Sequence, residues 1–228
     1  MTGSDADFDV EAALRRGAVA FLGLEFVVGP GALVPRPETE LLARAAIEAI
    51  QARRREPLVI DVCCGVGNLA CAIAHHTTAR VLASDLSAEC AALTRLNAER
   101  LGLSGRLKVF EGDLFAPLQG ELASGGVDVI VCNPPYISTG RLAQDRAALL
   151  EREPREAFDG GPYGLSVHQR VIREAATLLA PGGALLFEFG QGQDRQLAAL
   201  LARARGYGAP RFVNDAAGVP RVVVATRT

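Results

Sequence analysis

The residues with the clearest chemical potential are Asn133, Pro134, Pro135 and Tyr136, which follow directly on the apolar run Val127-Asp128-Val129-Ile130-Val131-Cys132. Such a run reads as a buried strand, which puts the four residues at its carboxyl end. Open α/β sheets bind their ligands at that edge. Proline lacks an N–H, so the Pro134 carbonyl is displayed without a competing donor. The amide oxygen of Asn133 and the carbonyl of Pro134 could accept the two hydrogens of a planar –NH2 group, with the Tyr136 ring packed on its face. A Pro-rich turn after a strand would look the same in isolation, so the surrounding elements must decide.

Those elements alternate. Apolar runs at Leu58–Val62, Arg80–Asp85, Leu107–Phe110, Val127–Cys132 and Ala184–Phe189 predict strands. Helices are expected between them at Asn68–His75, Ser87–Leu101 (Ser87 as N-cap) and Val167–Leu179. One more helix, Gln193–Arg203, leads to two closely spaced strands, Arg211–Asn214 and Arg221–Ala225, that suit an antiparallel pair. Strands separated by helices imply a doubly wound, mainly parallel α/β sheet, here with seven strands. Ahead of it, Glu11–Arg16 suits a short helix, Gly17–Val34 a β-hairpin and Glu38–Arg55 an amphipathic helix. The expected division is an N-terminal segment with the hairpin over 1–34 and a catalytic or binding domain over 35–228.

Composition narrows the partners. The 228 residues carry a formal charge of −2, and Lys108 is the only lysine, so no basic field argues for nucleic acid. Arg53, Arg54 and Arg55 form one run, expected as a solvated helix end. The five cysteines, Cys63, Cys64, Cys71, Cys90 and Cys132, lack zinc-type spacing and read as free thiols; no metal site is expected. The acidic, polar start is unlike a signal peptide, and no run reaches membrane-spanning length, so a cytoplasmic protein is expected.

Asp61-Val62-Cys63-Cys64-Gly65-Val66-Gly67 joins the first of the alternating strands to a helix. Its glycines would let backbone N–H groups approach a ligand at the helix start. Gly65 to Ala70 also fits a dinucleotide fingerprint, with Asp85 as the ribose acid, so a nicotinamide enzyme is one reading. Two further acids favour S-adenosylmethionine. Asp61 suits a cationic cofactor end and would repel a pyrophosphate. Asp113 follows the third strand, where an adenine amino group needs an acceptor, and Leu114 can pack on the adenine face.

With Asn133-Pro134-Pro135-Tyr136 added, the chain resembles the HemK/PrmC family, the glutamine methyltransferases of peptide-chain release factors. Three more segments, in order, carry the resemblance. Leu33 to Leu42 is similar to the family's Pro-Arg-Pro-Glu/Asp-Thr-Glu signature. Glu153-Pro154 through Gly164-Leu165 is similar to its Glu-Pro…Gly-Gly…Gly-Leu segment, and Glu188 to Gln193 to its Glu-Ile-Gly-x-x-Gln. The resemblance implies a Rossmann-like methyltransferase fold with cofactor contacts from Cys63 to Gly67, Asp85, neighbouring Leu86, Leu114 and Asn133. It implies substrate contacts from Asn133 to Tyr136, while the segment holding Arg36 and Glu38 would close over the site. Family members carry a helical domain before the hairpin, where fewer than twenty residues stand here. Cys63-Cys64 also replaces the usual Gly-Thr or Gly-Ser.

Catalysis by such a site is positioning. The Asn133 and Pro134 oxygens would hold a weakly nucleophilic nitrogen and stabilise the charge that develops on it. No titrating base is needed, and His75, His76 and His168 lie on helices away from the edge. The expected acceptor is a release-factor glutamine or a small free substrate, such as an arginine guanidine or an amide metabolite. Two alternatives are methylation of adenine's exocyclic amine and a non-catalytic, cofactor-binding partner subunit. A homodimer would compensate for a missing domain.

Overall fold

The computed structural model describes residues 8–53, 56–122, 126–145, 150 and 152–228. A short helix, α1 (Val10–Arg16), is capped by the Asp9 carboxylate, which accepts from the Ala12 N–H. The hairpin follows as β1 (Ala18–Phe21) and β2 (Leu24–Val27). Leu22 and Gly23, both at positive φ, form its two-residue turn, so the paired strands stop well short of Val34. A 3-10 turn over Pro37–Thr39 starts α2 (Glu40–Gln51), because proline can open a helix but not continue one.

From there the alternation matches the sequence closely. The order is β3 (Leu58–Val62), α3 (Asn68–His76), β4 (Arg80–Asp85), α4 (Ala88–Arg100), β5 (Leu107–Glu111) and β6 (Val127–Cys132). It continues with α5 (Thr139–Asp145), α6 (Ser166–Leu178), β7 (Leu179–Glu188), α7 (Asp194–Ala204), β8 (Arg211–Asn214) and β9 (Pro220–Thr226). Ser87 caps α4 by accepting from the Cys90 N–H. Two elements depart from the sequence reading. The polar helix α5 has no apolar stripe to betray it. β7 begins five residues early, because Pro181-Gly182-Gly183 is absorbed as an irregularity bonded to Arg227 instead of ending the preceding helix.

The sheet order is β5-β4-β3-β6-β7-β9-β8, parallel except for β9, which runs antiparallel to both neighbours. Two apolar layers cover it. Val59, Val129, Val131 and Leu186 face α2, α3 and the hairpin; Ile60, Ile130, Leu185 and Phe187 face α6 and α7. That alternation is the period of two expected of strands buried on both faces. Arg53 departs from expectation: its side chain is 22 % exposed and pairs with buried Asp128, so it is no solvated helix end. Arg54 and Arg55 lie outside the described residues. No described helix is long and apolar enough to cross a membrane, and no metal-ligand cluster occurs among the described residues.

The hairpin is fastened by one buried side chain on α4. Asn97 accepts from the Val27 N–H at 2.8 Å and donates to the Val27 and Val66 carbonyls at 3.0 and 2.9 Å. It thereby links hairpin, helix and the turn after β3. Asn97→Ala strands these backbone groups and should lower the unfolding free energy by about 2–3 kcal/mol in a urea titration. An unchanged midpoint would show that Asn97 does not hold the hairpin, leaving its docking to apolar contact and to the Leu22–Glu40 bond.

Candidate active site

In the sheet order, β3 and β6 are neighbours although β4 and β5 lie between them in the chain. The helical crossovers therefore leave on opposite sides, and a crevice opens at the carboxyl ends of these two strands. Val62 and Cys132 are register partners, so Cys63 and Asn133 emerge side by side. Above them lies a cavity of about 740 Å³, walled also by the loop before α2 and the segment ahead of α6. A smaller groove of about 450 Å³ between α4 and the β5 edge contains none of the motif residues.

The turn after β3 is built tightly. Gly67 has φ +84°, and a Cβ there would sit 2.6 Å from Thr94 Cγ2, so only glycine fits. Cys63 adopts φ +59°, a left-handed backbone that favours glycine, and its thiol lies against that of Cys132. Cys64 is buried, with its sulfur 3.5 Å from Thr94 Oγ1. Cys63, Cys64 and Gly65 line the cavity; Val66 and Gly67 lie behind it.

Asp61 also lies behind the wall, fully buried, and not on the surface that a direct cofactor contact would require. Its Oδ2 accepts from the Ala70 N–H in the first turn of α3, while its Oδ1 has no partner. Burial pushes its pKa up to about 8, with the nearby Asp85 charge adding to the shift. Asp85 does reach the cavity. Its oxygens accept from the Gly65 and Ser87 N–H groups at 2.9 and 3.0 Å, and burial raises its pKa. Leu86 beside it is 69 % exposed, an apolar side chain displayed at the cavity rim.

Asp113 and Leu114 are both on the wall, but Asp113 does not stand free for an amino group. Arg170 of α6 holds both its oxygens, at 3.0 and 2.8 Å. A carboxylate retains lone pairs in such a pair, so the site keeps an acceptor there. Leu114 sits at φ +47°, its carbonyl accepting from Ser84 Oγ.

The Asn-Pro-Pro-Tyr segment divides. Asn133 and Pro135 line the cavity, whereas Pro134 is buried behind it. Tyr136 is turned away, contrary to the sequence reading: its hydroxyl donates to Glu188 at 3.3 Å, and burial raises its pKa. Gln193 and the 159–165 loop hold the segment from behind. Gln193 Nε2 donates to the Tyr136 carbonyl, and Gly164, at φ +71°, lies so close that a Cβ would meet that oxygen at 2.3 Å. Arg36 is on the wall but paired with buried Glu153, which also accepts from the Val34 N–H. Glu38 is half-buried and off the wall. Glu153 was not singled out from the sequence; a glutamate before a proline carries no signal that it will be buried under an arginine.

His168 is a core residue, as read. Its Nε2 bonds the Glu188 carbonyl at 2.9 Å, and burial lowers its pKa to about 4. His75 and His76 are exposed on α3.

Residues 38–161 match the methyltransferase small domain model. A release factor glutamine methyltransferase of Moorella thermoacetica is 36 % identical over 92 % of this chain and 73 % of its own. The chain belongs to that family. A 4-amino-L-phenylalanine/4-methylamino-L-phenylalanine methyltransferase of Streptomyces pristinaespiralis is 41 % identical over 83 % of this chain and 64 % of its own. Among solved structures, the T. thermophilus 16S rRNA N2 G1207 methyltransferase in complex with AdoMet and guanosine shares the fold. Its TM-score is 0.65 at 21 % identity, over 92 % of this chain and 50 % of the other.

The protein is thus an S-adenosylmethionine-dependent methyltransferase. Its residues fit that cofactor: a glycine turn at a helix start, with an acid and an apolar side chain on the cavity rim.

Asp61 gives this site a pH signature. A carboxyl whose folded pKa is raised contributes stability below its unfolded value, near 3.8, and loses it as pH climbs through about 8. The cofactor-free protein should therefore lose more stability than Asp61→Asn between pH 5 and 8.5. Glu188 acts in the same direction and His168 in the opposite one, but both are common to the two proteins and cancel in the comparison. Parallel denaturation curves across that range would contradict the buried, unpaired assignment.

Proposed function

We propose that the chain transfers a methyl group from S-adenosylmethionine to a planar nitrogen seated at Asn133, with a release-factor glutamine amide as its acceptor. The observation that carries this reading is the Asn133 amide on the cavity wall, side by side with the Cys63–Gly65 turn. Its Nδ2 donates to Thr39 Oγ1 at 3.2 Å, which leaves Oδ1 as the acceptor for a substrate N–H.

Bound S-adenosylmethionine supplies an electrophilic methyl group on a sulfonium. The protein's residues contribute placement. Asp85 would hold the ribose hydroxyls, Leu86 and Leu114 would pack the adenine, and the Cys63–Gly65 turn would receive the methionine end. Asn133 Oδ1 accepts from the attacking nitrogen, keeps it in line, and stabilises the positive charge that grows on it. Such placement can supply about 7 kcal/mol or more of the barrier reduction. The nitrogen, cationic once alkylated and therefore strongly acidic, would release its proton to water, so no general base is required of the wall.

A second reading is favoured by the 41 % identical relative, whose name gives a free aromatic amine as substrate. An aryl amine is also planar and also donates hydrogens to Asn133, so the two acceptors share one clamp. Incubation with methyl-labelled cofactor separates them: label should pass to release factor, or alternatively to 4-amino-L-phenylalanine. Label on neither would refute both acceptors.

Two substitutions test the residue roles. Asp85→Ala should weaken S-adenosylhomocysteine binding by roughly 1.5–3 kcal/mol in calorimetry, because it removes a charge-assisted hydrogen bond. Asn133→Ala should lower turnover ~10²–10³-fold with cofactor affinity little changed. Wild-type turnover in that variant would mean that the Asn-Pro-Pro-Tyr segment is only structural.

A further inference from the structure

Thr39, the last residue of the 3-10 turn before α2, is 2 % exposed and lines the cavity wall with Asn133. Its Oγ1 meets the Asn133 amide at 3.2 Å. That contact alone does not fix the amide, because a hydroxyl can donate or accept and a carboxamide can present either end. The polarity comes from a third group. The Thr39 hydroxyl also interacts with the Glu188 carboxyl, which is buried at 2 % exposure. An ionised carboxylate only accepts. Once the hydroxyl proton points at Glu188, Thr39 Oγ1 can only accept from the amide, so Nδ2 turns to Thr39 and Oδ1 is left for the cavity.

Glu188 is itself held in place. Tyr136 donates to its Oε1 at 3.3 Å, and its backbone carbonyl is bonded by His168. The carboxyl has acceptor capacity to spare, since its buried Oε2 has no hydrogen-bond partner of full geometry. Burial brings its pKa up to about 7, with the Thr39 bond, Arg221 and Tyr136 opposing the rise and Glu38 adding to it.

We propose that Thr39, backed by the Glu188 carboxylate, is a positioning residue that sets the orientation of the Asn133 amide and so presents its oxygen to the acceptor nitrogen. This rests on the nitrogen-acceptor reading above for its catalytic meaning, but the amide orientation can be measured without any acceptor.

The test uses the full chain at pH 8, above the value of about 7 to which burial raises the Glu188 carboxyl, with Thr39→Val and Thr39→Ser. The Asn133 side-chain amide is identified in a nitrogen–proton NMR spectrum by its loss in Asn133→Asp. One of its two protons should be shifted downfield in the wild type and in Thr39→Ser. In Thr39→Val it should move to the position of a free carboxamide, while the melting temperature shows that the fold is retained. With whichever acceptor the wild type methylates, kcat should fall about 10-fold in Thr39→Val and recover in Thr39→Ser, with KM and cofactor affinity little changed. An Asn133 resonance unmoved in Thr39→Val overturns the proposal, as does a kcat loss equal in both variants. If the wild type methylates no acceptor, the nitrogen-acceptor reading fails, and the amide resonance still decides the role of Thr39.

Discussion

The parallel pairing of β3 with β6 is the constraint on which the rest depends. Their register partners Val62 and Cys132 lie 70 positions apart in the chain, yet the pairing sets Cys63 beside Asn133.

 Neither strand's sequence encodes the pairing directly; it marks the point where the strand order reverses and the crossovers leave in opposite directions. Because a parallel strand has a side-chain period of two, a slip of one residue would send Ile60, Ile130 and their neighbours to the wrong layer. The two apolar layers therefore lock the register, and the register places the chemistry.

Around that junction the buried polar groups serve as fasteners. Asp61 caps α3 from the adjacent strand, Asn97 ties the hairpin to the cofactor turn, and Glu153 holds Arg36 and the Val34 N–H. Glu188 gathers Thr39, Tyr136 and, through its backbone, His168. Each is costly to bury; Asn97 and Glu153 are compensated by partners from distant segments, whereas Asp61 Oδ1 and Glu188 Oε2 have no hydrogen-bond partner of full geometry. Several of these partners lie on the wall or directly behind it, so the interactions that stabilise the fold also hold the site rigid. A placement-based mechanism needs that rigidity.

The sheet was legible in the sequence because its strands are short apolar runs with glycine or proline at their ends, and Ser87 marked its helix as a capping residue should. Asp85, Leu86, Leu114 and Asn133 were legible as cavity-lining residues because each lies at or just beyond the carboxyl end of a strand, which is the ligand edge. Helix α5 was not, since a polar helix burying little more than Leu142 leaves no periodic signal. Tyr136 was misplaced for a different reason. Motif order says which residues lie near an edge, whereas the direction of a side chain depends on what it meets, here Glu188 on β7. The Arg170–Asp113 pair and the role of Thr39 depend likewise on contacts between segments far apart in the chain.

The central claim is that the cavity beside β3 and β6 brings cofactor and acceptor together at Asn133. A crystal structure with S-adenosylhomocysteine tests it most directly. The account predicts the ribose at Asp85, the adenine between Leu86 and Leu114, and the sulfur directed toward Asn133 across the Cys63–Gly65 turn. A cofactor bound elsewhere, or one whose sulfur is walled off from Asn133, would contradict it.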